Sequence, residues 1–209
     1  MNVLVIGAHG QIGQQIVRYL AMEKGYFVRA MIRKAEQIDS LEKLGAKPII
    51  ADLEKDFSYA YDGIEAVIFA AGSGGHTGPE KTISVDQEGA IKAAQIAEEK
   101  GVKRFILIST ILSGEPEKGP QSLANYLVAK GKADEVVIAS QLDYTILRPA
   151  TLTNESATGL VDDAGELGKA TVTRADVAKF ACEVLPEKSS YKKIYTFQNG
   201  QTPIETYIQ

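Results

Sequence analysis

Short runs of aliphatic and β-branched residues alternate along the chain with longer stretches in which apolar residues recur every three or four positions. The short runs are 2–7 (NVLVIG), 27–33 (FVRAMIR), 47–51 (KPIIA), 66–71 (AVIFAA), 104–109 (RFILIS), 143–148 (DYTILR) and 193–198 (KIYTFQ), and each predicts a strand. Several are apolar with little alternation, the pattern of a sheet covered on both faces. The periodic stretches predict helices near 11–23, 35–44, 82–100, 121–140 and 174–185. Gly101 follows the third of the long ones as a C-terminal cap. In TRAD (Thr173 to Asp176) a Thr stands three residues before an acid, a capping-box start for 174–185. Strand and helix in regular alternation imply right-handed crossovers and a parallel sheet. The expected fold is α/β, a doubly wound parallel sheet in a single domain over 1–209. The stretch 151–172 reads as a loop with room for a short hairpin. With the tail from 199 to 209 it is expected to shape a small substrate pocket.

Composition changes this picture little. The chain has 209 residues, of which 44% are hydrophobic and 24% charged, so it can bury a core without disulfides or metals. No metal site is expected. The single Cys182 lies in the apolar run VAKFACEVL and reads as a buried, inert thiol. The formal charge is −4 and the lysines are spread out; KGVKR and YKKI read as solvated element ends, so a nucleic-acid partner is not expected. With a strand starting at Asn2 and no apolar run of membrane-spanning length, the expectation is a cytoplasmic protein without a membrane partner, monomer or homodimer.

The first strand runs straight into GAHGQIG, with Gly7, Gly10 and Gly13, and an apolar helix pattern (Ile12, Ile16, Val17, Leu20) follows. Strand, glycine turn and helix in this order suit a dinucleotide: a bare backbone lets the pyrophosphate approach, and the helix N-terminus offers free N–H groups. Close packing alone is the competing explanation of the glycines. The candidate phosphate-binding residues are Gly7, His9, Gly10, Gln11, Ile12 and Gly13, although His9 also reads as a solvent-facing loop residue. After the second strand, Arg33 and Lys34 stand where an acid would favour the unphosphorylated ribose, while Glu36 and Asp39 fall on the following helix. A guanidinium there suits a 2′-phosphate, with Arg29 able to share the task, so NADP is expected rather than NAD. Arg33 as a mere solvated strand end is the alternative. Asp52 and Leu53 follow the third strand near the expected adenine. Ala70, Ala71 and Gly72 follow the fourth, where small residues let a cofactor lie flat. Gly74, Gly75 and Gly78 suggest a flap, and His76 within it either touches a substrate or is a surface histidine.

Tyr126 and Lys130 are four residues apart, about one helical turn, on the helix after the fifth strand. That strand ends at Ser109 and Thr110, which open on the same crevice as the glycine turn. On a helical wheel Leu123, Tyr126, Leu127, Lys130, Ala133, Val137 and Ile138 share one face, opposite Asn125, Lys132 and Glu135. A lysine in an apolar stripe needs a partner. Lys130 either tunes Tyr126 and holds a nicotinamide ribose, or pairs with Asp134 one turn on. In the catalytic reading the ammonium lowers the phenol's pKa so that Tyr126 gives a proton, and Ser109 hydrogen-bonds the substrate oxygen.

The turn GAHGQIG, the strand end LIST and YLVAK together resemble the short-chain dehydrogenase/reductase superfamily. The phrases DYTILRPATLT and TRADVAKF resemble its atypical NAD(P)H-binding branch, which includes flavin-reductase-like and NmrA-like proteins. The resemblance covers nearly the whole chain. It implies a Rossmann fold with NADP, a Ser109–Tyr126–Lys130 site in which Ser109 and Lys130 also border the cofactor, and a backbone around Pro149 beside the nicotinamide. Two departures stand out. The asparagine of the full catalytic set is replaced in SVDQEGAIKAA by Asp86 or Gln87, and the larger C-terminal substrate region is missing. The expected activity is NADP-dependent reduction of a small or flat carbonyl, quinone or flavin with Tyr126 as proton donor. The alternatives are a nucleotide-sensing regulator without turnover and an epimerase or dehydratase on a nucleotide-linked sugar, which the small substrate region disfavours.

Overall fold

The computed structural model describes residues 1–74, 77–166 and 168–209. Gly75 and His76, singled out above, lie outside the described residues. The strands are β1 (Asn2–Ile6), β2 (Phe27–Ile32), β3 (Lys47–Ile50), β4 (Ala66–Phe69), β5 (Arg104–Ile108), β6 (Asp143–Pro149), β7 (Thr151–Thr153), β8 (Leu160–Asp163), β9 (Thr171–Thr173), β10 (Lys193–Asn199) and β11 (Thr202–Pro203). Seven of them form a continuous parallel sheet in the order β3-β2-β1-β4-β5-β6-β10. This is the doubly wound, Rossmann-type arrangement, with the order reversing beside β1. Ligands bind at that switch point, outside the carboxyl ends of the strands.

The helices are α1 (Gln11–Met22), α2 (Ile38–Glu42), α3 (Pro79–Lys81), α4 (Glu88–Glu99), α5 (Ala124–Ala139), α6 (Arg174–Glu183) and α7 (Ile204–Tyr207). The apolar strands are explained by two cores, one on each face of the sheet. Val3 and Val5 pack on one side with Ile16 and Val17 of α1 and Val177 and Phe180 of α6. Leu4 and Ile6 pack on the other with Ala90 and Ala94 of α4 and Ala133 and Val137 of α5. Gly101 ends α4 as expected: its φ is +72°, its N–H donates to Glu98 O, and the Val102 N–H reaches back to Ala97 O at 2.8 Å. That pair of bonds is a Schellman motif.

Three local expectations need correction. First, 151–172 holds no hairpin of its own: β7 pairs in parallel with β9, and β8 joins the main sheet antiparallel to β10, followed by β11. Short polar-rich strands such as LVDD carry too few residues for their period to show. Second, the helix expected at 82–100 starts with a π-helical segment, Thr82–Gln87, between α3 and α4. Third, the buried side of α5 is rotated from the wheel: Gly131 and Asp134 face inward, whereas Leu123 and Ile138 are exposed. Gly131 lies against the Ser113 carbonyl, where a Cβ would come within 2.3 Å, and Asp134 is held by polar partners.

Candidate functional site

The glycine turn is built by backbone proximity. Gly7 has φ +80°, and a Cβ on it would meet the Ala71 backbone at 2.6 Å. Only glycine fits this left-handed turn and close approach. A Cβ on Gly13 would stand 2.2 Å from the Gly7 carbonyl, so this residue lets α1 pack onto the turn. The first helical bond runs from the Gln14 N–H to Gly10 O, which leaves the N–H groups of Gln11, Ile12 and Gly13 without a helical acceptor. No side chain caps α1 and no acid lies in its first turn. The cradle therefore fits an anionic pyrophosphate.

A crevice of about 800 Å³ opens at this turn. It is lined by Gly7, His9, Gly10, Gln11, Ile12, Arg33, Asp52, Leu53, Ala70, Ala71, Gly72 and Tyr126. Sequence reasoning brought those residues to one place, and the fold does assemble them. Gly13 stands behind the turn in a packing role. Lys34, Ser109, Lys130 and Pro149 do not line the open crevice. Lys34 is exposed beyond Arg33, Pro149 is buried at the end of β6, and Ser109 and Lys130 are 4% and 2% exposed. A shallower depression of about 470 Å³, lined by Asp163, Ile194 and Tyr207, lies on the antiparallel flank and has no cation in its lining.

On the β2 side of the crevice Arg33 is exposed, and Gln37 Oε1 accepts the N–H groups of Arg33 and Lys34, which fixes the path of that loop. Arg29 takes no part: its guanidinium donates to the carbonyls of Ala60 and Asp62. Lys81 and Glu54 form an ion pair at 2.7 Å along one wall.

Of the expected triad on the β5 side, Tyr126 lines the crevice, whereas Ser109 and Lys130 are buried and do not line it. The Lys130 ammonium donates to Ile108 O at 2.8 Å, one residue before Ser109. It has no carboxylate partner among the described residues. The alternative pairing with Asp134 is not formed, because Asp134 holds Arg148 Nε at 2.9 Å and the Ser113 hydroxyl at 2.7 Å. Burial lowers the Lys130 pKa, opposed by Asp86 and Asp134. The Tyr126 phenol is pushed up to about 12, chiefly by burial and then by Asp86, with the Thr110 hydroxyl pulling the other way and Asp134 adding a smaller rise. The expected ammonium-lowered phenol is thus corrected: desolvation and a nearby acid raise it, and Lys130 is not among the groups acting on it. The Ser109 Oγ is buried without a hydrogen-bond partner among the described residues.

Asp86 lies in the π-helical segment, 1% exposed, and lines the crevice while its Oδ2 accepts the Ser73 N–H at 3.1 Å. Gln87 instead bonds Glu88 on the outer side. Of the two substitutes for the missing asparagine, Asp86 is the one in the site. Sequence reasoning missed Gln37, Lys81, Leu152 and Arg174, all crevice residues. Arg174 was visible within TRAD, but only the flanking Thr and Asp were read there.

Cys182 is a free thiol whose pKa burial pushes up, and its Sγ points to Ile16 O. No helix among the described residues is long and apolar enough to cross a membrane.

Comparison with known proteins agrees with this geometry. A Bacillus subtilis protein named as an uncharacterized sugar epimerase, YhfK, is 43% identical over 98% of this chain and 97% of its own. A solved Bacillus halodurans structure, provisionally described as an NAD-dependent epimerase/dehydratase, superposes with a TM-score of 0.95 at 43% identity, over 100% of this chain and 98% of that one. The oxidoreductase ylbE of Lactococcus lactis superposes with a TM-score of 0.89 at 34% identity, over 100% and 95%. The NAD(P)H-binding family matches residues 7–188. With its glycine turn, switch-point crevice and sheet order, the chain belongs to the NAD(P)H-binding family.

Proposed function

We propose that this protein is an NADP-dependent oxidoreductase that reduces a small or flat carbonyl, quinone or flavin, with Tyr126 as proton donor. One observation carries the reading: Tyr126 lines the same crevice as the glycine turn, while the end of β5 and the same helix carry a buried Ser109 hydroxyl with no hydrogen-bond partner and a buried Lys130 with no carboxylate partner among the described residues. A buried hydroxyl with no partner is uncommon, and a substrate oxygen is a fitting acceptor for it.

The glycine turn and crevice would hold a nicotinamide cofactor, which would supply hydride to the substrate carbon. The Tyr126 phenol gives its proton to the substrate oxygen and is afterwards reprotonated from solvent. With a pKa near 12 the phenol is fully protonated at neutral pH, the form a donor needs. Ser109 donates to the same oxygen as negative charge develops on it. Lys130 offers further N–H groups to ribose hydroxyls and stabilises the phenolate left after transfer. Gln11, Ile12 and Gly13 present backbone N–H groups to the pyrophosphate, and Arg33 meets a 2′-phosphate.

The test is oxidation of NADPH with a panel of carbonyls, quinones and flavins. For a carbonyl substrate Tyr126→Phe is expected to cut kcat by about 10²- to 10⁴-fold, the contribution of a positioned general acid. Unchanged carbonyl turnover in Tyr126→Phe removes the tyrosine from the mechanism. Tight NADPH binding with no turnover on any member of the panel would favour the nucleotide-sensing reading. The names of the two Bacillus relatives keep an epimerase in view, but the stretch 151–172 is short for a region that would bind a nucleotide-linked sugar.

A further inference from the structure

We propose that Arg174 binds an oxyanion of the substrate, a carboxylate or a phosphate, at the end of the crevice away from Arg33. The proposal rests on the reading of the crevice as a hydride-transfer site and names the class of molecule that site takes.

The position follows from the sheet. Arg33 follows β2, on one side of β1, whereas Arg174 opens α6 directly after β9. β9 pairs with β7, which continues from β6 on the opposite side of β1. Two arginines therefore stand at opposite ends of one crevice, and both line it. Lys81 is the third cation in the lining and is neutralised by Glu54. Arg174 has no carboxylate partner among the described residues. Its one side-chain hydrogen bond among the described residues runs from Nη1 to Asn154 Oδ1 at 2.8 Å. A guanidinium has five N–H groups in a planar fork, so most of its donor capacity stays free for a ligand. The acid in the lining on this side, Asp86, is 1% exposed and already holds the Ser73 N–H. Leu152 and Leu123 supply apolar wall to the same crevice as Arg174 and Tyr126.

The fork is also held in place. Asp176, fully buried, accepts the backbone N–H groups of Thr158 and Gly159, the Thr173 hydroxyl and Asn199 Nδ2. These bonds fasten the segment after Asn154 to the first turn of α6, so the residue that grips Arg174 and Arg174 itself sit on one frame. A guanidinium ordered in advance loses less entropy on binding an anion. The geometry suits a flat ring beside Tyr126 with an anionic tail reaching Arg174.

Two probe pairs test this: FMN against riboflavin, and 4-carboxybenzaldehyde against its methyl ester. The members of each pair share the reducible group and differ in the anion, phosphate in one case and carboxylate in the other. Binding of the flavins to the NADP⁺-loaded protein is read by flavin fluorescence, and NADPH oxidation gives KM for all four. The anionic member of at least one pair is expected to bind about tenfold more tightly or better. The advantage should shrink as salt is raised, a readout that needs no variant. In Arg174→Gln the ratio within the pair should fall to about one, with Arg174→Lys intermediate. Equal affinity within both pairs, or a ratio that survives Arg174→Gln, overturns the proposal. A loss of NADP⁺ affinity in Arg174→Gln that matches the loss for the anionic probe also overturns it, because the arginine would then be a cofactor contact. Flavin preference without turnover would instead sink the reductase reading and leave Arg174 as the anion site.

Discussion

In the proposed function, Arg33 is the residue on which cofactor choice turns. It is exposed, lines the crevice and follows β2 with no acid beside it in the loop before Glu36. Arg33→Ala should weaken NADPH binding about tenfold or more and leave NADH within about twofold, as measured by nicotinamide fluorescence; equal affinities in the unaltered protein would end the argument. Tyr126 is legible in the sequence by its spacing from Lys130 and its place after the strand ending in Ser109. Its proton affinity is not legible. The phenol's rise to about 12 comes from burial and from Asp86, 40 positions earlier in the chain. The sign follows directly: a donor that stays protonated below that value gives no fall in carbonyl turnover between pH 7 and 9 through its own ionisation.

At the scale of elements, α5 keeps Lys130 and Asp134 apart. Asp134 is one turn from Lys130, yet its Oδ2 accepts from Arg148 on β6 and Ser113 in the loop after β5, and no bond to Lys130 forms. Asp134 is 1% exposed and Arg148 17% exposed at the side chain, so breaking the pair leaves a buried charge uncompensated. Arg148→Met is expected to cost about 3 kcal/mol of stability, read by urea denaturation, and Asp134→Asn in the same chain should recover part of it. If Arg148→Met is neutral, Asp134 finds another partner, and Lys130, one turn away on the same helix, is a candidate. The wheel grouped Lys130 with the apolar positions correctly but missed Asp134 and Gly131, because their burial depends on β6 and the 109–114 loop rather than on helical period. The π-helical turn at Thr82–Gln87 was equally out of reach, since the local run TISVDQ reads as ordinary helix.

For the whole molecule, the two edges of the sheet do different work. The carboxyl ends of the strands hold the crevice, and the amino ends hold a buried arginine staple. Arg104, at the start of β5 and 5% exposed, donates to the carbonyls of Val184 and Leu185 at the end of α6, to Asp143 O and Thr145 Oγ1 on β6, and to Ser190 Oγ. Its guanidinium lies over the Tyr191 ring, and burial lowers its pKa to about 10. Arg104→Met orphans several buried carbonyls. It should lower stability by about 3 kcal/mol in urea titration while NADPH affinity stays within about twofold. A matching loss of cofactor affinity would show that the two edges are coupled. The sequence by itself determined the parallel α/β fold, the glycine turn and the neighbourhood of Tyr126, because each rests on short-range signals: apolar period, glycine spacing and the order of strand and helix. Tertiary structure alone decided that β8 and β11 extend the sheet, that Asp86 enters the site, that Asp134 is drawn away from Lys130, and that Arg174 faces the crevice. Each of those outcomes is set by burial and hydrogen bonding between segments far apart in the chain, which no local pattern of residues encodes.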